Sequence, residues 1–344
     1  MINAHAPAVA DDRADKILSR ARTLCQPQLK IAVGALSEPL QRIAGYHIGW
    51  CDEDGTARSH RSGKALRAAL TLCVCQACGG SPTVALPAAA AVELIHNFTL
   101  VHDDLMDTDE TRRGRPTVWR VWGADDAILL GDALHALAIS VLATGLPGGL
   151  VPEAVSRLAA ASAELCRGQH EDLALETDAS AGVEEYLQMV MGKTGALMGC
   201  ACALGGLCAG ADEPTVAALD AYGRELGVAF QFVDDIIGIW GDTAATGKPV
   251  GNDLARHKRS LPVIIALRSG GSAAAELAEI YRSPEPMTTA RIDRARTLVE
   301  AAGGLAAARA HAARQARKAL AALPSHVVST DLEILTDAVT HRVR

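Results

Sequence analysis

The sequence of 344 residues predicts an all-α protein. Three observations carry that prediction. No stretch alternates apolar and polar residues with the period of a half-buried strand. Apolar residues make up 49% of the chain but aromatics only 3%, and alanine, the best helix former, is abundant. Long apolar-periodic stretches are separated by glycine and proline, which end helices. Alanine also lets helices approach closely, so the pattern is helix packed on helix.

Residues 1–12 are short and mixed, carry no signal-peptide pattern, and are expected to form a flexible N-terminus. The helical pattern starts near Arg13, with helices predicted over 13–32 and 35–47. The next two, 62–79 and 85–105, are divided by the proline-bearing segment 82–87. A helix over 124–144 stops at the glycine-rich segment 145–149, and one over 151–173 stops before 178–182. Two long helices follow, 184–210 and 213–241. The segment 241–252 after them is polar, glycine-rich and next to an acidic pair, as expected of a mobile loop over a site. Helices over 258–269 and 273–282 precede the break at 283–286. Those over 289–302 and 305–322 precede Pro324, and 329–342 closes the chain.

Length alone suggests about two domains. However, no repeat of fixed period, no Pro/Ser-rich linker and no shift in charge divides the chain, so one domain over 13–344 is expected. Lys and Arg total 33 against 40 Asp and Glu, a net charge of −7. Without a long basic run, nucleic acid is excluded as a partner. The longest uncharged stretch, 195–211, falls short of the ~20 residues that span a bilayer and is rich in glycine. It reads as a buried helix, and no membrane span is expected. Of nine cysteines, Cys73, Cys75 and Cys78 lie close together, as do Cys200 and Cys202. On a helix Cys73 and Cys75 lie about 160° apart, and no second ligand pair has zinc-finger spacing. Buried reduced thiols are expected, which suits a cytoplasmic protein.

Two aspartate clusters stand in strongly apolar helical stretches, where carboxylates are costly unless something positive meets them. The first is His102-Asp103-Asp104-Leu105-Met106-Asp107. Its three acids fit within one broad helix face and repel unless cations lie between them. Mg²⁺ is such a cation: it takes one or two carboxylates together with phosphate oxygens and water. Arg112, Arg113 and Arg115 follow closely. They are either salt-bridge partners of Asp109 and Glu110 or bidentate anion clamps. The second cluster is Gln231-Phe232-Val233-Asp234-Asp235, with Asp242 two turns further on. Lys248 and Lys258 come after it, and Lys193-Thr194 stands in Met-Gly-Lys-Thr-Gly. Upstream, Lys64 and Arg67 lie three residues apart on one face. His96, seven residues before Asp103, is close to the acidic face. Acids for metal and cations for phosphate together suggest a diphosphate site.

These motifs resemble the trans-isoprenyl diphosphate synthases, or polyprenyl synthetases, and among them the actinobacterial short-chain enzymes of geranylgeranyl diphosphate synthase type. The resemblance covers residues 45–266. It rests on Asp-Asp-x-x-Asp with Arg-Arg-Gly, Lys-Thr, Phe-Gln-x-x-Asp-Asp, Gly-Lys and Ser-Leu-Pro, in that order. It implies an antiparallel helical bundle around a deep central cavity, usually a homodimer. It further implies that Asp103, Asp107 and Asp234 bind three Mg²⁺ ions. Arg112, Lys193, Thr194, Gln231, Lys248 and Lys258 would hold the allylic diphosphate, with Lys193, Thr194 and Gln231 nearest the chemistry. Lys64, Arg67, His96 and Arg113 would hold isopentenyl diphosphate. Gln169 and Asp172 match a further signature near the tail cavity.

The chain departs from the family at Gly238, where the second motif usually ends in a third aspartate, and at Ala68, where a proline is usual. In the family, bulky residues four or five positions before the first aspartate floor the tail cavity; here these are Thr99 and Phe98. The expected activity is head-to-tail condensation of isopentenyl diphosphate with dimethylallyl, geranyl or farnesyl diphosphate, giving mainly geranylgeranyl diphosphate. Two rivals are a class I terpene cyclase and a regulatory subunit of a heteromeric synthase. The second diphosphate site at Lys64, Arg67, His96 and Arg113 argues against the first. The complete first acidic motif argues against the second.

Overall fold

A computed structural model describes residues 6–58, 60, 63–178, 181–241 and 251–341. The helices are α1 (Ala6–Gly34), α2 (Leu40–Ile48), α3 (Leu66–Ala77), α4 (Pro82–Met106), α5 (Val118–Trp122), α6 (Ala124–Gly145), α7 (Val151–Thr177) and α8 (Val183–Val190). A π-helical turn, Met191–Gly195, leads into α9 (Ala196–Cys208), followed by α10 (Glu213–Trp240) and the short α11 (Asn252–Ala255). Then come α12 (Leu261–Arg268), α13 (Gly271–Arg282), α14 (Thr289–Ala301), α15 (Gly304–Ala322) and α16 (Thr330–His341). The strands described are β1 (Thr111–Arg112) and β2 (Arg115–Pro116), which pair antiparallel. Each predicted helix is present with its ends moved by a few residues, except that α1 already begins at Ala6, within the segment expected to be flexible, and the run expected over 184–210 is broken by the π-helical turn. The hairpin, α5 and α11 escaped the periodicity argument because none is long enough to show a period. Most of the expected loop over 241–252, with Asp242 and Lys248, lies outside the described residues.

The chain forms two compact units. The first comprises Met1–Ser162, Cys200–Asp220 and Pro324–Leu332. Its core centres on α4, which packs on α3 and on α6. Pro82 opens α4 at a position where its missing N–H costs nothing. Ala85 and Ala88 to Ala91 are wholly buried, so neighbouring helices come close. Two glycines set the pairing with α6. A Cβ at Gly131 would lie 2.0 Å from His102 Nε2, and one at Gly145 would lie 2.8 Å from Pro87. The two contacts are about as far apart on α4 as on α6, as in antiparallel helices in register. Leu94 and Ile95 on α4 and Leu130, Leu134 and Leu142 on α6 are fully buried, each contributing about 1.5–3 kcal/mol by leaving water.

The second unit comprises Ala163–Gly199, Ala221–Leu323 and Glu333–Arg344. One core cluster joins Tyr186, Val190, Val228, Phe232 and Ile236 to Leu261, Ile264 and Ala312. Another joins Ile239, Leu254 and Val263 to Leu277, Leu298 and Val299. Glycines again allow backbone-to-backbone contact. A Cβ at Gly168 would lie 2.1 Å from the Lys193 nitrogen, and one at Gly227 would lie 2.8 Å from the Gly195 Cα. The π-helical turn is therefore clasped between α7 and α10.

Among the described residues, three helical runs are long and apolar enough to cross a membrane: Pro82–Met106, Ala124–Gly145 and Val183–Cys208. Counting only uncharged stretches had not revealed them. The apolar windows of the first and third are 72% and 83% buried, as core helices are, whereas that of α6 is 33% buried. Ile128 and Leu129 are among its exposed side chains. None of the nine cysteines is in a disulfide.

Candidate active site

In the first unit, the Asp-rich motif ends α4. Asp103 lies in the last turn and Asp107 caps the helix, its N–H bonded to the Asp103 carbonyl at 2.8 Å. This is the negative end of the helix dipole, the unfavourable end for carboxylates, so the arrangement calls for cations. The three acids do not behave alike. Asp103 and Asp107 are half-buried, whereas Asp104 is 1% exposed. Both Asp104 oxygens accept from Arg112 Nε at 2.8 Å, and Arg112 Nη2 adds a contact at 2.5 Å. Asp104 therefore fixes an arginine beside the outer two acids.

The arginines lie on the β1–β2 hairpin, which has three distinct tasks for them. Its turn is Arg113-Gly114, with φ of 54° and 79°, as a tight two-residue hairpin requires. An arginine in the left-handed region costs roughly 1 kcal/mol, a strain of the kind found at functional sites. Arg113 reaches over Gly63, where a Cβ would lie 2.8 Å from its Nη2. Arg115 serves the fold. It stacks 3.8 Å from the Tyr46 ring centroid and donates to the Tyr46 and Cys51 carbonyls at 3.0 Å. The anion-clamp reading therefore narrows to Arg112 and Arg113.

Arg113, Arg67 and His96 come together, as the sequence reading grouped them. Burial, with Arg67 and Arg113 beside it, holds His96 well below the usual histidine range, so it is neutral at pH 7. Lys64 is exposed at the same loop as Gly63. Two members were not foreseen. Glu93 accepts from the Ala68 N–H at 3.0 Å with Arg67 and Arg113 nearby. His47 is pushed down to about 3 by burial and by Arg113 and Arg112. Both sit in apolar helices, where nothing in the local pattern marks them. On the same helix as the acids, Phe98 meets His102 and His135 at ring distances of 4.9 and 5.3 Å. Thr99 is buried and bonds the His96 carbonyl at 2.8 Å. Only Thr99 shares the face of Asp103, one turn away; Phe98 points toward α6.

In the second unit, Lys193 and Thr194 stand on the π-helical turn, a feature that recurs at functional sites. Lys193 pairs with Asp172 at 2.5 Å, and Lys258 lies 4.0 Å from the same carboxylate. Burial alone would raise Asp172, but Lys258 and Lys193 pull it below the usual carboxylate range. Thr194 donates to Gln231 Oε1 at 3.1 Å, and Gln231 Nε2 donates to Asp235 Oδ1 at 3.1 Å. Asp235 also accepts from the Tyr186 hydroxyl and from the Leu261 N–H at 3.1 Å. Burial pushes its carboxyl up to about 6, although Tyr186, Lys258 and Gln231 all lower it. Asp234, its neighbour, is half-buried. Gln169 is 5% exposed, and neither end of its amide has a partner among the described residues. Such a group costs about 1–3 kcal/mol unless a partner arrives. Tyr186 went unnoticed in the sequence, since an isolated aromatic in an apolar helix reads as core.

No group of three or more His, Cys, Asp or Glu among the described residues forms a ready metal cage. Mg²⁺ needs no such cage, because one or two carboxylates hold it and substrate phosphate oxygens and water complete its shell. Asp103 and Asp107 in the first unit, and Asp234 in the second, are hard oxygen donors of the type such an ion takes.

The polyprenyl synthetase family model matches residues 50–299. The chain is 52% identical to the geranylgeranyl diphosphate synthase of Mycobacterium tuberculosis over 336 residues, which is 97% of this chain and 96% of that protein. It is 43% identical to the (2E,6E)-farnesyl diphosphate synthase of Mycobacterium bovis, covering 87% of this chain and 84% of that one. The crystal structure of a polyprenyl synthetase from Streptomyces coelicolor superposes with a TM-score of 0.88 at 43% identity, covering 94% of this chain and 98% of that one. With the family matched across both acidic motifs and the fold matched along nearly the whole chain, this protein belongs to the polyprenyl synthetase family and is a trans-prenyltransferase.

Proposed function

We propose that the protein condenses isopentenyl diphosphate with dimethylallyl, geranyl or farnesyl diphosphate and releases mainly geranylgeranyl diphosphate. The Asp104–Arg112 pair carries the reading. It fixes a bidentate anion ligand next to two carboxylates at the negative end of a helix, which is the chemistry of a metal-bridged diphosphate. The 52% identity to a geranylgeranyl diphosphate synthase supports the twenty-carbon product.

In this reading Asp103, Asp107 and Asp234 hold Mg²⁺, three ions in all. The metal supplies Lewis acidity to the departing diphosphate. Arg112, Lys193, Thr194, Gln231 and Lys258 hold the allylic diphosphate, aided by Lys248, and stabilise the charge that builds on it. Asp172 keeps Lys193 extended for that contact. Lys64, Arg67 and Arg113 bind the diphosphate of isopentenyl diphosphate. His96 joins them as a neutral N–H donor and adds no further charge to the arginine cluster. The allylic C–O bond breaks, the isopentenyl double bond attacks the resulting cation, and a proton leaves to the released diphosphate. Apolar walls keep water from the cation. Phe98, backed by His102 and His135, sets the depth of the tail cavity, with its neighbour Thr99 one turn before Asp103. Residues 13–344 act as one catalytic domain in the cytoplasm. The uncovered apolar side of α6 supports a homodimer, and sedimentation of the purified protein tests it.

The activity test is incubation with Mg²⁺, labelled isopentenyl diphosphate and each allylic primer, then sizing of the products. Label in a twenty-carbon diphosphate is the expected result. A hydrocarbon from geranylgeranyl diphosphate alone would indicate a cyclase. Incorporation only after a second protein is added would indicate a regulatory subunit.

A further inference from the structure

Helix α3 begins without a cap of its own. Its N-cap residue, Ala65, has a left-handed backbone with φ 54° and no side chain that could accept a hydrogen bond. The N–H groups of a first helical turn have no partner within the helix, and a serine, threonine, aspartate or asparagine at the N-cap usually meets one of them. Here the acceptor comes from another helix. Glu93, in the middle of α4, accepts from the Ala68 N–H at 3.0 Å. Ala68 and Ala69 are wholly buried, and their small side chains let the start of α3 come this close to α4. Glu93 is 8% exposed, and its neighbours Val92 and Leu94 are wholly buried. Burial raises its carboxyl, while the Ala68 N–H, Arg67, Arg113 and Arg22 lower it. A carboxylate placed this deep is costly unless such groups meet it.

The approach to α3 is held at its other end by α1, where Arg22 Nε donates to the Gly63 carbonyl at 3.2 Å. Residues 63–68, which carry Lys64 and Arg67, therefore run between one contact to α1 and one to α4. Ala68 stands where the family usually has a proline, and a proline would have no N–H to give. The bond to Glu93 is thus open to this chain through its departure at 68.

We infer that Glu93 is a positioning residue for isopentenyl diphosphate: it caps α3 from α4 through the Ala68 N–H, and so holds Arg67 and Lys64 in place beside Arg113 and His96. The inference rests on the isopentenyl diphosphate site given under Proposed function. Glu93 acts through α3 and makes no contact with substrate. Its task requires an acceptor more than a charge, so a glutamine of the same length performs it.

The test is steady-state kinetics, with each substrate varied at saturating levels of the other and thermal melting as the check on folding. Glu93→Leu is expected to raise KM for isopentenyl diphosphate about 10-fold, as when a buried donor loses its acceptor. KM for the allylic primer and kcat are expected to change less than about 2-fold. Glu93→Gln keeps an acceptor and is expected to stay within about 3-fold of the wild type. Ala68→Pro removes the donor instead and is expected to raise the same KM about as much as Glu93→Leu. Adding Glu93→Leu to Ala68→Pro is then expected to change KM less than about 2-fold further. Should Glu93→Leu not fold, Ala68→Pro alone decides. An unchanged KM for isopentenyl diphosphate in either single variant would overturn the inference. So would an equal rise in KM for both substrates, or a Glu93→Gln as impaired as Glu93→Leu. Each of these results leaves the proposed activity intact, whereas no incorporation of isopentenyl diphosphate by the wild type would overturn both.

Discussion

The two acidic motifs each contain adjacent aspartates, and in each the second aspartate is 1% exposed while the first is half-buried. The inner acids are met in different ways. Asp104 is met by a cation, Arg112, with which it forms an ion pair. Asp235 is met by a phenol, an amide and a backbone N–H, and its carboxyl rises to about 6. The same dipeptide therefore does two jobs. In α4 it fixes a charged anion ligand; in α10 it aligns the Thr194–Gln231 chain with hydrogen bonds that a neutral group can also accept. Sequence identity of the pair says nothing of this difference, which depends on what arrives from elsewhere in each unit.

The largest expected effect separates outer from inner acid. Asp103→Ala should reduce turnover about 10³-fold or more, equivalent to roughly 4 kcal/mol in the barrier, with the melting temperature nearly unchanged. Near-normal turnover in single-turnover assays would remove Asp103 from the metal assignment. The next contrast is between inner acids. Asp104→Asn strands Arg112 and should cost about 3 kcal/mol of stability. Asp235→Asn keeps an acceptor for neutral donors and should cost less than about 1 kcal/mol. Equal losses in urea titrations would show that the two acids are not handled differently.

A pH series sharpens the view of the first unit. His47 and His96 have folded pKa values below the unfolded value. As pH falls through the unfolded value near 6.5, the unfolded chain takes up protons that the folded chain refuses. Stability should therefore fall, by about 2 kcal/mol at pH 5 through His47, with His96 acting in the same direction. His47→Gln should flatten that slope; an unchanged slope would mean that His47 protonates freely in the fold. The smallest energetic change is expected at Phe98→Ala, which should lengthen the product by at least one isoprene unit. An unchanged product distribution by chromatography would show that Phe98, packed on His102 and His135, does not set the depth.

Much of the site was legible because the chemistry needs particular residue types at short spacing. Asp103 and Asp107 are one turn apart, Lys193-Thr194 is flanked by glycines, and Lys64 and Arg67 are three residues apart, although α3 begins only at Leu66 and leaves Lys64 in the loop before it rather than on a shared helix face. What stayed hidden depends on contacts between distant segments. Glu93 meets the start of α3, Tyr186 meets Asp235, and Asp172 meets both Lys193 and Lys258. The three arginines after the first motif look equivalent in sequence. A two-residue hairpin sends Arg112 to Asp104, Arg113 to Gly63 and Arg115 to Tyr46.

The sequence by itself determined the helices, their order and the family, because periodicity, helix-ending residues and motif spacing are local properties of the chain. Tertiary structure alone decided which carboxylates turn outward and which are consumed by the fold. Such outcomes depend on volume and charge brought from segments far away in the sequence, and no local pattern records them.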